Sequence, residues 1–298
     1  MFAGSLVAAI TPMRDDGTID FEAWSRLIDF HAARDTAGVV VGGTTGESAT
    51  LTDAELAELS ARALEAAAGR LVVITGAGSS STAATVARVE RLSRLGIDGV
   101  LVVTPAYNRP TQEGLYRHFE AVAAASRVPV IIYNVPSRTA VDALPATVAR
   151  LAALPRIVAI KEAVASSARI DELVARAPAG FTVLSGDDAS AREAIAHGAR
   201  GVISVSANVA PRQVAAMVRA ALAGDAARAA ELDARLAGLH QALFIEPNPI
   251  PVKWVARQLG LAPAGIRLPM TPLEPEHEAP LRHAMMAAGL APDCKEPE

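Results

Sequence analysis

Short runs of Val, Ile and Leu recur along the chain at residues 5–10, 38–41, 71–76, 99–104, 130–135, 157–161, 181–185 and 201–205. Each run is nearly continuous rather than alternating apolar with polar positions, the pattern of a parallel strand covered on both faces. Between the runs lie Ala-rich stretches with apolar residues at helical spacing, as at 22–31, 54–68, 83–95, 113–125 and 145–154. Helix-opening residues stand at several joints: Thr52 ahead of Asp53 and Glu55, Ser81 or Thr82 ahead of the next stretch, and Leu144 ahead of Pro145. Strand and helix alternate eight times over residues 1–223, which predicts an α/β fold, a closed (β/α)8 TIM barrel, with an open doubly wound sheet as the other arrangement. Beyond Gly224 the spacing is helical alone, at 225–243, 249–259 and 276–288, so residues 224–298 are expected to form a small C-terminal helical domain. No internal repeat and no biased linker divides the two parts, which are therefore expected to pack together.

Composition narrows the class of function. With 298 residues and 51% hydrophobic content the chain can bury a large core, and disorder over most of it is not expected. A formal charge of −4 without a Lys or Arg cluster offers no footprint for nucleic acid or an anionic membrane. The expected partners are small molecules or copies of the chain itself. No apolar run approaches the roughly 20 residues of a membrane helix, and the N-terminus lacks the pattern of an export signal, so a cytoplasmic protein is expected. The one cysteine, Cys294, allows neither an intrachain disulfide nor a cysteine metal cluster, which fits a reducing compartment. Six scattered histidines make no His-Glu-x-x-His arrangement, and no zinc site is expected.

Catalytic residues of such barrels lie at the C-terminal ends of the strands, so the polar residues that close each apolar run are the candidates. Lys161 closes the run Ile157, Val158, Ala159, Ile160. Desolvation disfavours a charged ammonium on a buried strand, and a neutral lysine amine attacks carbonyl compounds to form Schiff bases. The alternative is an ion pair with Glu162 at the strand end. Gly42, Gly43, Thr44, Thr45, Gly46 and Glu47 follow the second run. They read either as a loop that offers backbone amides to an anion or as a tight turn before the next helix. Gly76, Ala77 and Gly78 do not extend into a dinucleotide fingerprint. Tyr107 and Arg109 follow the fourth run; Tyr133 and Arg138 belong to the fifth. A phenol can relay protons and a guanidinium can grip a carboxylate, or Tyr133 caps the core and Arg138 is solvated. Asp187 and Asp188, after Gly186, read as helix-start residues or as metal ligands. Thr44, Thr45, Tyr107, Tyr133, Arg138 and Lys161 would all face one end of one barrel.

Three of these segments, 42–47, 133–139 and 157–162, resemble the pyruvate-dependent class I aldolases of the dihydrodipicolinate synthase and N-acetylneuraminate lyase family, and the likeness extends through 184–189, 201–208 and 246–254. The resemblance implies that Lys161 forms an imine with pyruvate and that the derived enamine attacks L-aspartate 4-semialdehyde, giving 4-hydroxy-tetrahydrodipicolinate on the diaminopimelate route to lysine. It further implies that Tyr133 transfers protons, that Thr44 links it by hydrogen bonds, and that Tyr107 reaches in from a neighbouring subunit. Thr45 and adjacent amides would hold the pyruvate carboxylate and Arg138 the carboxylate of the second substrate, with the backbone carbonyls of Gly186 and Ile203 lining the pocket. No metal and no organic cofactor is implied. A homodimer would be the smallest complete unit, and a homotetramer built from dimers is expected. Sialic acid lyases of the family generally lack an arginine matching Arg138, which favours a short acidic aldehyde over the alternative, a sugar-derived 2-keto acid. A noncatalytic keto-acid-binding barrel and a pyridoxal phosphate enzyme are the remaining readings. Lysine-inhibited relatives ring an interfacial pocket with imidazole, carboxylate, amide and phenol groups. Here Ser48 and Ala49 are kept beside Asp53, Leu56, Ser80, Ala84 and Ala106, so weak or absent lysine feedback is expected.

Overall fold

The computed structural model describes residues 2–290; Cys294 lies outside them. Among the described residues, eight strands close into a parallel barrel in chain order: β1 (Gly4–Ala8), β2 (Gly38–Val41), β3 (Val72–Gly76), β4 (Gly99–Val103), β5 (Val130–Asn134), β6 (Ile157–Glu162), β7 (Thr182–Ser185) and β8 (Gly201–Ser204), with β8 returning to β1. The barrel is wrapped by α1 (Phe21–Ala32), α2 (Asp53–Ala67), α3 (Thr82–Leu92), α4 (Gln112–Ala125), α6 (Pro145–Ala152), α7 (Ser167–Arg176), α8 (Ala191–Ala196) and α9 (Pro211–Leu222), while the single turn α5 (Pro136–Thr139) sits at its mouth. After a turn at Gly224 follow α10 (Ala226–Ala242), α11 (Ile250–Gln258) and α12 (Glu278–Ala287). This is the predicted (β/α)8 barrel with C-terminal helices.

The apolar runs form strands because each strand is buried twice. Leu6, Val40, Ile74, Leu101, Ile131 and Leu184 fill the barrel interior, and Phe2 packs with them. Their strand neighbours, such as Val39, Val73, Val100, Ile132 and Ile160, pack outward against the helices. Each such side chain contributes about 1.5–3 kcal/mol on burial. Strand ends depart from the runs where a side chain takes over a backbone group. The first run predicts a strand through Ile10, but the Ile10 N–H donates to Asn208 Oδ1 at 2.9 Å, and β1 stops at Ala8. Thr52 caps α2 through a reciprocal pair: its Oγ1 accepts from Glu55 N at 3.2 Å while its own N–H donates to Glu55 Oε2 at 2.8 Å. Ser81, rather than Thr82, caps α3. The single turn α5, opened by Pro136, was not anticipated from the sequence, and it carries Arg138 to the barrel mouth.

Candidate active site

The pleat of β6 decides how Lys161 is used. Successive residues on a strand point to opposite faces. Ala159 packs inside the barrel while Ile160 packs against the helices, which places Lys161 inward and Glu162 outward. Lys161 is 5% exposed, stands in register with Tyr133 and Leu184, and holds its Nζ 4.3 Å from the centre of the Tyr133 ring. The alternative ion pair with Glu162 is therefore not formed. Glu162 instead accepts from Asn134 Nδ2 at 3.1 and 3.0 Å and from Val164 N at 2.8 Å, with Arg169 4.0 Å away. Burial pushes its carboxyl up to about 7, against the opposing pull of those hydrogen bonds. Beside Lys161 stands Gly186, whose N–H donates to Glu162 O at 2.6 Å. A Cβ there would lie 3.1 Å from Lys161 Cε and 3.0 Å from Ala163 Cβ, so a larger residue would crowd the lysine stem.

Above the amine opens a cavity of about 440 Å³ whose wall includes Lys161, Tyr133, Thr44, Thr45, Arg138 and Gly186. The loop after β2 enters it through a left-handed Gly42 (φ +59°), where a Cβ would strike Leu56 Cδ1 at 2.3 Å. The amides of Gly46, Glu47 and Ser48 are consumed in turn bonds to the carbonyls of Gly43 and Thr44. Those of Thr44 and Thr45 donate to no acceptor among the described residues, which leaves two adjacent donors for an anion beside the Thr45 hydroxyl.

Six of the eight expected site residues thus converge on one cavity. Tyr107 does not: it is 93% exposed, in the left-handed region (φ +72°), outside the cavity of its own chain. The Ile203 side chain packs in the barrel interior, and Val205 forms the cavity wall at the end of β8. No hydrogen bond joins Thr44 to Tyr133 among the described residues; the two share the wall. Neither Asp187 nor Asp188 caps α8, whose preceding Ser190 makes no side-chain cap. Asp187 accepts from Ser190 N and Oγ at 2.9 and 2.6 Å. Asp188 accepts from Ser204 Oγ and from the amides of Val205 and Ser206, tying the end of β7 to the end of β8. Among the described residues no three His, Cys, Asp or Glu side chains gather as metal ligands.

A model of the dihydrodipicolinate synthetase family matches residues 1–288. The chain belongs to the dihydrodipicolinate synthetase family. It is 51% identical over 290 residues, 97% of the chain and 100% of the relative, to a 4-hydroxy-tetrahydrodipicolinate synthase of Laribacter hongkongensis. The fold is similar to that of the dihydrodipicolinate synthase of Aquifex aeolicus, with a TM-score of 0.96 and 46% identity over 98% of this chain and all of that one. It is similar, again at a TM-score of 0.96, with 42% identity over 98% of this chain and 100% of that one, to a chloride-inhibited dihydrodipicolinate synthase of Acinetobacter baumannii solved in complex with pyruvate.

Within this family member the cavity also takes residues that a reading of strand ends does not reach. Phe244 and Asn248 come from beyond the barrel, more than 80 residues after Lys161 in the sequence, and form part of the wall. Asn248 Nδ2 donates to Thr45 Oγ1 at 3.0 Å. Five residues on, Lys253 makes a buried ion pair with Glu47 of the same loop, and Arg267 N donates to the other Glu47 oxygen at 3.1 Å. The available signal was the dense proline pattern of Pro247, Asn248, Pro249 and Pro251 just ahead of a buried lysine.

Proposed function

We propose that the enzyme is a class I, Schiff-base-forming lyase that condenses pyruvate with L-aspartate 4-semialdehyde to 4-hydroxy-tetrahydrodipicolinate, on the diaminopimelate route to lysine. The observation that carries this reading is the buried Lys161 amine, 4.3 Å from the Tyr133 ring, beneath a cavity whose wall includes Thr44, Thr45 and Arg138. Lys161 Nζ adds to C2 of pyruvate and water leaves, giving an iminium. Loss of a C3 proton gives the enamine, whose C3 bonds to the aldehyde carbon of the second substrate while the aldehyde oxygen takes up a proton. The α-amine of that substrate then attacks C2 and displaces Lys161, which closes the ring and frees the catalyst. Tyr133 is the proton carrier, since its ring meets the amine and its strand position faces the same cavity. The Thr44 and Thr45 amides with the Thr45 hydroxyl hold the pyruvate carboxylate, and Arg138 takes the carboxylate of the semialdehyde through paired hydrogen bonds. The carbonyls of Gly186 and Ile203 face the reacting groups.

Residues 1–223 are read as the catalytic barrel and 224–298 as a helical unit that completes its mouth. Exposed Tyr107 is read as completing the site of a neighbouring copy, which makes a dimer the functional unit and a pair of dimers the assembly. No described helix is long and apolar enough to cross a membrane, and a biosynthetic role in the cytoplasm is proposed. Borohydride with pyruvate is expected to add a covalent mass on Lys161 that disappears in Lys161→Ala; an adduct elsewhere, or none, overturns the mechanism. Arg138→Ala is expected to leave this trapping intact while lowering semialdehyde turnover by about 10²-fold, the loss of one charged bidentate contact of about 3 kcal/mol. Unchanged turnover would move the enzyme toward the sugar-derived 2-keto acids.

A further inference from the structure

The wall of the cavity contains a contact that the chemistry above does not use. Asn248, buried and contributed by the C-terminal unit, donates its Nδ2–H to Thr45 Oγ1 at 3.0 Å. Its Oδ1 is buried with no hydrogen-bond partner among the described residues. Leaving such a carbonyl unpaired costs about 1–3 kcal/mol, so the amide is not held there for its own satisfaction. What it satisfies is Thr45. A hydroxyl has one proton and two lone pairs. When the oxygen accepts from Asn248, its proton is left to donate elsewhere, and Thr45 lines the cavity next to the two unpaired amides.

The surroundings fix this geometry from both ends. On one side the loop is anchored by the Lys253–Glu47 ion pair and by Arg267, which donates to Glu47 Oε2, to Thr50 O at 2.8 Å and to both Glu55 oxygens. On the other, Thr11 Oγ1 donates to Gly46 O at 2.7 Å. Held in this way, Thr45 has little freedom beyond rotation of its O–H, and Asn248 removes that freedom.

We infer that Asn248 is a positioning residue that turns the Thr45 hydroxyl proton toward the carboxylate of the keto acid, so that the C-terminal unit sets pyruvate affinity without touching pyruvate. This rests on the reading that Thr45 holds that carboxylate. Without the amide the hydroxyl proton is free to turn away, and the carboxylate loses one oriented charge-assisted hydrogen bond.

The test is a double-mutant cycle on the full-length enzyme with steady-state kinetics in both substrates. Asn248→Ala is expected to raise KM for pyruvate about tenfold, the scale of one hydrogen bond to a charged group. KM for the semialdehyde and the melting temperature are expected to stay near wild type. Asn248→Asp, of the same size but able only to accept, draws the Thr45 proton to itself and is expected to raise KM for pyruvate at least as far. Thr45→Ala is expected to weaken pyruvate binding, and adding Asn248→Ala to it to cost nothing more. If Thr45→Ala weakens pyruvate and Asn248→Ala does not, or if the two losses simply add, the positioning role is overturned. A parallel rise in both KM values with a fall in melting temperature overturns it in favour of a purely structural role. Unchanged pyruvate KM in Thr45→Ala instead overturns the reading of Thr45 itself, and the inference with it.

Discussion

Lys161 and Glu162 are neighbours in the chain and differ in everything that matters for chemistry. The run that leads to them announces a buried strand, and burial of both is legible from it. Which of the two faces the cavity is not, because apolar residues on both faces of the strand hide its pleat, so the choice of Lys161 rests on amine chemistry and the family resemblance. The outward carboxyl has a consequence of its own. Its ordinary value of 4.5 is pushed up to about 7 by burial, so the fold favours the protonated acid. Below pH 4.5 folded and unfolded chains both carry the proton and this group costs nothing. Between pH 4.5 and 7 the unfolded chain ionises while the fold resists, and stability falls by on the order of 3 kcal/mol. Glu162→Gln keeps the shape and an acceptor for Asn134 without that titration. Its denaturant midpoint relative to wild type is expected to climb across this window and to level off above it. A constant offset from pH 4.5 to 8 would show that Glu162 does not titrate there.

At the scale of elements, strands read well and their connections read less well. Doubly buried strands leave long apolar runs, and the Thr52 and Ser81 caps mark helix starts by residue type. The turn α5 is too short to show a period, yet it carries Arg138. The packing of α2 on α3 bears on regulation. Asp53 at the start of α2 is held by Arg88 Nε at 2.8 Å and by an Arg91 terminal nitrogen at 2.5 Å, both from α3. Arg88 also lines a small cavity with Gly43, Thr44 and Ser48 of the loop after β2. Cations therefore occupy the ground where an amino acid's ammonium would need free carboxylates, and the carboxylate of Asp53 is already paired twice. Submillimolar L-lysine is expected to leave initial rates unchanged in a pyruvate and semialdehyde assay. Strong inhibition in that range would show that Asp53 exchanges its arginine partners for the amine.

For the molecule as a whole, the barrel was legible from the alternation of patterns, whereas its dependence on the C-terminal helices was not, because no local spacing links Asn248 to Thr45 across 203 positions. The same holds for Tyr107, whose type marks it as reactive but which stands 93% exposed and outside the cavity of its own chain. Mixing subunits decides its role. Lys161→Ala lacks the amine and Tyr107→Phe lacks the phenol, so each alone is expected to be nearly inactive. In a hybrid dimer one site has both, and random exchange of equal amounts is expected to restore about a quarter of wild-type activity. No recovery, with exchange verified by native mass spectrometry, would mean that Tyr107 serves its own chain or none. The clamp formed by Asn248, Lys253 and Arg267 carries a further consequence, one of timing. All three leave the ribosome after β8, so a nascent chain can close its barrel while the loop after β2 still lacks these anchors. Synthesis must pass Arg267, more than 100 residues beyond Lys161, before every contact that holds this loop can form.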